Sequence, residues 1–423
     1  MQNKVVIENV IFAAGDGASF YDDQEAIRRG VKKDGYLYTG TPITKGFSKI
    51  RQPAAALGIG LALSDKQIVW GDMMSVQYAG AAGRDPLFDV AQIEGLVRQY
   101  VVPHLIGINP SNFKAACDEA LGVNGGGGLP VSVEYGVSQA LLEAAAYVQR
   151  VTMAEVIASE LHLPTPMKRV PIYCQTGDER EINVDKMILK SVDILPHGLT
   201  NSAERFGRRG EVFREYVRWV VDRIRKVGEP TYHPGLHFDV YGWVGLEFGL
   251  EPKKIAEFIA QAADDADGFD INIECPADFG STEAQIDGYR DIVREMTRIG
   301  TRARIVADEY CNTLEDIRRF AEAGSAHLIQ IKMPDVGPLL DTAKAVVVCK
   351  DNGVGAYVGG SASETDVSAR ISVHIAMATQ ADMMLAKPGM GVDEAVTIVR
   401  NEQHRLLATL ASRNVSPKTA RPA

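Results

Sequence analysis

Short apolar runs that end on a charged or turn-forming residue recur along the second part of the chain. HFDVYG carries Asp239, DINIECP carries Glu274, RIVADEY carries Asp308 and HLIQIKMPD carries Lys332. Each run alternates or clusters apolar residues and then breaks into turn residues, the pattern of a strand feeding a loop. RVPIYCQTGD, MILKSVDILPHGL, GAYVGGS and ADMMLAKPGMG give four more strand positions. Amphipathic helical patterns lie between them: GEVFREYVRWVVDRIRKVG, KKIAEFIAQAADDAD, QIDGYRDIVREMTRIG, TLEDIRRFAEAG and LLDTAKAVVVCKDNG. Strands alternating with helices of this length predict an α/β fold with a parallel sheet and crossover connections. Eight strand positions suit a closed (β/α) barrel better than an open doubly wound sheet. No GxGxxG follows any of the strands, which weakens the open alternative further.

The first 165 residues lack this rhythm. KVVIENVIF and LGIGLALSDKQIVWGD read as strands with turns between them, and DVAQIEGLVRQYVVPHLIG reads as an amphipathic helix stopping near Gly107. EYGVSQALLEAAAYVQRVTMAEVIASEL is a long helical pattern that one or two helices would satisfy. Strands followed by helices predict an α+β domain over residues 1–165. The barrel would cover 166–410, with a frayed tail over 411–423. GVNGGGGLP lacks the Lys-Ser/Thr of a phosphate-binding loop and follows no clear strand, so it reads as a plain loop.

Composition narrows the function classes. The chain has 423 residues, 24% charged and 46% hydrophobic, with a net charge of −10. That charge disfavours nucleic acid as a partner. An anionic substrate stays open, because a bound cation reverses the sign of a pocket. The five cysteines, Cys117, Cys174, Cys275, Cys311 and Cys349, form no CxxC pair, which predicts neither disulfide framework nor zinc site and points to a reducing cytoplasm. MQNKVVIENVIF carries Lys4 and Glu8 and does not read as a signal peptide. No apolar run is long enough to span a bilayer, so no membrane partner is expected.

The chemistry lies at the strand ends. A parallel barrel gathers these ends at one rim, where active sites form. Three acids meeting there would need compensation for their charge, and a hard divalent cation such as Mg2+ supplies it through oxygen ligands. Alternation in DINIE turns Ile271 and Ile273 one way and Asn272 and Glu274 the other. Asp308 follows Val306 by two, so it is chosen as the ligand over Glu309, which would face away. Lys332 shares a face with Gln330, and burial beside a dication would lower its pKa and make it a general base. A Schiff base between Lys332 and pyridoxal phosphate is a different chemistry that leaves the acids unexplained. His197, in DILPHGL, would serve the other face of a substrate carbon, and His237 reads as structural or as a support behind the metal.

These residues resemble the enolase superfamily, and within it the methylaspartate ammonia-lyase family. The resemblance covers nearly the whole chain and rests on FYDDQEAIRRG, YTGTPITKGFSKIRQ, VQYAGAAGRDPLF, ILPHGL, HFDVYG, VADEYCNTLED, QIKMPDVG and LAKPGMGVDEA. It implies an α+β capping domain followed by a modified TIM barrel. It implies Mg2+ on Asp239, Glu274 and Asp308, with a monovalent cation such as K+ assisting. Lys332 would take the C3 proton of (2S,3S)-3-methylaspartate, the enediolate being stabilised by magnesium, and His197 would serve the opposite face. Ammonia then leaves C2 and mesaconate forms. Gln175 and Gln330 match substrate-holding positions, and Gln77, Tyr357 and Leu385 match positions lining the pocket. Where the family carries Gly-Gly-Thr-Cys-Asn-Glu-Thr, this chain has Gly359, Gly360, Ser361, Ala362, Ser363, Glu364 and Thr365. Ser361 keeps a hydroxyl able to bind a carboxylate, while Ala362 keeps only its backbone N–H. The partner implied is a small amino-diacid, on a homodimer. The rivals are an acid-sugar dehydratase or cycloisomerase of the same superfamily, and a non-catalytic barrel that binds a metal or an amino acid.

Overall fold

The computed structural model describes residues 4–80, 84–122, 128–166 and 168–413. Most of the glycine-rich stretch (123–127) and most of the C-terminal tail (414–423) lie outside the described residues.

The N-terminal region is built on a three-stranded antiparallel sheet. Strand β1 (Ile7–Asp22) is followed by a small hairpin, β2 (Lys32–Asp34) and β3 (Leu37–Thr39). Strands β4 (Arg51–Leu63) and β5 (Ile68–Met73) complete the sheet in the order β1-β4-β5. β1 extends well past the apolar run KVVIENVIF, through the small residues after Phe12, with a register shift between Asp16 and Phe20. That extension carries no alternation to read; pairing with β4 and a bond from Ala18 N–H to the barrel's Glu364 O define it.

The helical pattern of 89–107 breaks near Pro103 into Val90–Tyr100 and Val102–Leu105. The long pattern of 134–161 is two helices, Val131–Gln149 and Met153–Glu160. Arg150 adopts φ 57°, and Thr152 and Glu155 form a capping box that starts the second helix. The first of these helices is buried around most of its circumference.

The barrel strands are β6 (Ile172–Tyr173), β7 (Ile194–His197), β8 (Gly235–Asp239), β9 (Ile271–Glu274), β10 (Arg304–Ala307), β11 (Leu328–Lys332), β12 (Gly355–Gly359) and β13 (Met383–Leu385). They pair in parallel in chain order, and β13 closes on β6. The two strand faces separate cleanly. Tyr173, Val306, Leu328, Tyr357, Met383 and Leu385 form their own cluster inside the barrel. Ile271, Ile273, Ile305, Ile329 and Ile331 join the larger core under the outer helices. The expected run MILKSVDILPHGL is shorter as a strand than it reads. Its MIL closes the helix Arg180–Leu189, whose Val184, Met187 and Ile188 are buried at helical spacing.

All five cysteines are free thiols. Among the described residues no helix is long and apolar enough to cross a membrane.

Candidate active site

Seven of the eight barrel strands, β6 to β12, end in or lead into a residue at one rim. Asp239, Glu274 and Lys332 are the last residues of β8, β9 and β11, and Asp308 directly follows β10. His197 ends β7, Gln175 follows β6 by two, and Ser361 and Ala362 follow β12. All of them line one cavity, together with Gln330 from β11 and with Gln77, Tyr78 and Arg84 from the N-terminal domain. The rim turns are tight. His197, Tyr241, Cys275 and Tyr310 have φ of 70°, 48°, 47° and 67°, a region non-glycine residues avoid at some energetic cost. Each follows or ends a strand that carries a site residue.

The acids crowd one another. Burial pushes the Glu274 carboxyl well above the usual range, and the charges of Asp239 and Asp308 add to it. Burial likewise raises Asp308 to about 6 despite the opposing charge of Lys332. Glu274 is gripped on both oxygens: His237 Nε2 lies 2.6 Å from Oε2, and the Gln330 amide donates to Oε1. Burial lowers the His237 pKa well below its ordinary value, and a neutral ring donates Nε2–H to Glu274 when that carboxyl is ionised, as it would be on a metal. Tyr241 N–H donates to Asp239 Oδ1 at 2.9 Å.

Among the described residues no three His, Cys, Asp or Glu side chains already converge into a metal-holding cluster. The contacts give the reason: Lys332 Nζ sits 3.0 Å from Asp308 Oδ1, and His237 and Gln330 engage Glu274. The donor set still fits Mg2+. It consists of carboxylate oxygens on adjacent strands, facing one cavity and mutually repelling in a buried setting that a dication would relieve.

The fall expected for the Lys332 pKa belongs to the site with its dication; the protein's own groups act the other way. Burial acts to lower its pKa, as predicted, but the charges of Asp308, Glu309 and Asp335 outweigh burial and Arg84, and the net shift is upward. Glu309 departs from expectation, since it lines the cavity beside Asp308. The chain leaves the strand at Ala307, so two-residue alternation no longer governs where 308 and 309 point.

His197 presents Nε2 at 3.5 Å from Asp239 Oδ2. Leu199 N–H donates to Nδ1 at 3.2 Å, so the neutral ring carries its proton on Nε2, toward the cavity. The Ser361 hydroxyl is engaged within the protein. It accepts from Gln77 N–H at 3.1 Å and lies 3.2 Å from Ser363 Oγ. Ser363 gives its own proton to Ser75 O at 2.5 Å, so Ser361 is the donor in their contact. Its proton therefore points away from any ligand in this geometry. Gln330 Oε1, by contrast, is buried without a partner.

Two features escaped sequence reasoning. Arg84 reaches from the N-terminal domain to Asp335 at 3.1 Å and Glu309 at 3.2 Å, flanking the Lys332–Asp308 pair. Lys387, two residues past β13, pairs with Glu364 inside the protein. Both are contacts between distant segments. The only sequence signal was a lone basic residue in an otherwise small or apolar stretch.

The chain matches two family descriptions in succession, "Methylaspartate ammonia-lyase N-terminus" over residues 5–162 and "Methylaspartate ammonia-lyase C-terminus" over 165–412. It is 43% identical over 412 residues to methylaspartate ammonia-lyase 1 of Carboxydothermus hydrogenoformans, covering 97% of this chain and 98% of that protein. Its fold superimposes with a TM-score of 0.94 on the crystal structure of Citrobacter amalonaticus methylaspartate ammonia lyase containing (2S,3S)-3-methylaspartic acid, at 43% identity over 96% of this chain and 100% of that one. The magnesium complex of Clostridium tetanomorphum beta-methylaspartase gives 0.93 at 42% identity, with the same coverage. The chain belongs to the methylaspartate ammonia-lyase family.

Proposed function

We propose that this protein is a magnesium-dependent ammonia-lyase that converts (2S,3S)-3-methylaspartate into mesaconate and ammonia. The observation that carries the reading is the meeting of Asp239, Glu274, Asp308 and Lys332 in one cavity. Family membership along the full length supports it.

Asp239, Glu274 and Asp308 would hold Mg2+, which supplies a Lewis acid for the substrate carboxylate beside C3 and offsets the carboxylate charge that keeps Lys332 protonated. Lys332 Nζ, once neutral, takes the C3 proton. The C3–H electron pair becomes the second C2–C3 bond, the C2–N bond breaks, and nitrogen leaves with its pair. His197 flanks the site from β7 with Nε2 turned inward. Gln175 and the backbone N–H of Ala362 would hold the other carboxylate and so fix the amine where elimination can expel it, with Ser361 N–H committed to Glu364. Gln330 steadies Glu274 with its amide nitrogen and keeps Oε1 free for a substrate donor.

The test is the absorbance of a conjugated diacid, followed with methylaspartate in the presence and absence of Mg2+, alongside released ammonia. A magnesium-dependent rise with matching ammonia is expected. Water loss from a sugar acid, with no ammonia from methylaspartate, would reject the reading in favour of a dehydratase. The same reading includes a homodimer, assistance by K+, a cytoplasmic setting and a cap–barrel boundary near residue 165. Light scattering, K+ titration, cell fractionation and limited proteolysis test these in turn.

A further inference from the structure

The segment that leaves β12 holds a buried ion pair that no step of the reaction uses. Lys387 Nζ lies 3.2 Å from Glu364 Oε2, and both side chains are wholly inaccessible. Lys387 also donates to Gly359 O at 3.0 Å. Ser361 N–H donates to Glu364 Oε2 at 2.9 Å, and Tyr135 OH, from the helix Val131–Gln149, donates to Oε1 at 2.7 Å. The Glu364 carbonyl accepts from Ala18 N–H of β1 at 3.0 Å. Gly360 sits over the pair so closely that a Cβ would lie 1.9 Å from Glu364 Oε2 and 2.6 Å from Lys387 Nζ.

A buried ion pair is a weak source of stability, because removing two ions from water costs about as much as their attraction returns. Its bonds here have a different character. Two of them end on backbone groups within residues 359–363, Ser361 N–H and Gly359 O, and Gly360, Ser361 and Ala362 of that segment form one wall of the active-site cavity. The Ser361 hydroxyl and its N–H are both spent inside the protein, so the donor this wall can offer a ligand is the backbone N–H of Ala362, whose direction the neighbouring bonds fix.

We propose that Glu364 and Lys387 are positioning residues that set residues 359–363 to receive the substrate carboxylate not adjacent to C3. This rests on the proposed function for the identity of that carboxylate, though not for the geometry. The pair acts through the backbone and touches no reacting atom.

The experiment compares the wild-type protein with Tyr135→Phe, Glu364→Gln and the double variant Lys387→Met/Glu364→Gln, which removes both charges together. The expected result is a KM for methylaspartate raised about tenfold or more in the double variant and less in Tyr135→Phe, with Mg2+ affinity unchanged and a smaller change in kcat. Amide hydrogen exchange should quicken at residues 359–363 and remain as in the wild type at β8–β11. Unchanged KM and unchanged exchange in a folded double variant would overturn the inference. If the double variant does not fold, Tyr135→Phe and Glu364→Gln decide by the same two readouts. Wild-type protein inactive on methylaspartate would reject the proposed function, while the exchange result would still judge the positioning role.

Discussion

Two lysine–carboxylate pairs stand at neighbouring points of the barrel rim and behave in opposite ways. Lys332 and Asp308 are 3.0 Å apart, with 17% and 11% of their side chains exposed to the cavity. Lys387 and Glu364 are 3.2 Å apart with none. Burial disfavours the ammonium in both places. At Lys387 burial prevails over the single carboxylate, and the pKa falls. At Lys332 the charges of Asp308, Glu309 and Asp335 prevail, and it rises. The excess of carboxylate around the lysine, more than depth, separates a pair that fixes structure from one whose proton can be traded once that excess is neutralised.

Removing the cavity lysine breaks the comparison most severely. Lys332→Ala should lower turnover by about 10³-fold or more, as expected for loss of a general base, and leave Mg2+ binding measurable by calorimetry. Near-normal turnover would mean that the accessible pair is as inert chemically as the sealed one. A milder change sharpens the picture of how the excess charge is organised. His237→Asn takes a neutral donor from Glu274 and should weaken Mg2+ affinity by about 10- to 100-fold in the same titration, with the fold intact. The smallest effect concerns a crowded carboxylate away from the rim. Burial, with Asp341 and Asp85 nearby, raises Glu134 to about 7. Its protonated form favours folding, so that contribution is full below about pH 4.5, declines as pH rises and is gone above about pH 7. Glu134→Gln should therefore match the wild type in urea unfolding near pH 4 and exceed it near pH 8. The gain should be of order 1 kcal/mol, since the side chain is partly exposed.

The strand ends were legible because each encodes its own boundary. An apolar run that breaks on Asp239, Glu274 or Lys332 fixes both the element and the inward position by local alternation. Counting from Val306 puts Asp308 at the rim, but the same alternation turns Glu309 away, whereas it lines the cavity because the strand has ended at Ala307. The last helix, Val392–Arg413, has no counterpart among the elements expected from sequence, although Val392, Val396, Val399, Leu406 and Leu410 carry a readable helical stripe. β1 beyond Phe12 could not be read, since small residues have no period. The direction of the Lys332 shift, the commitment of the Ser361 hydroxyl and the reach of Arg84 all depend on segments far apart in sequence. No local pattern encodes such distances.

The far end of β1 shows how deeply the two regions are joined. At Gly17 a Cβ would fall 2.4 Å from Ser363 O, so bare main chain of the cap lies against the substrate-side wall of the barrel. The cap is therefore not a transplantable module. A chimera that grafts it onto a related barrel would have to bring both halves of this contact, or the graft would deform the pocket it was meant to cover.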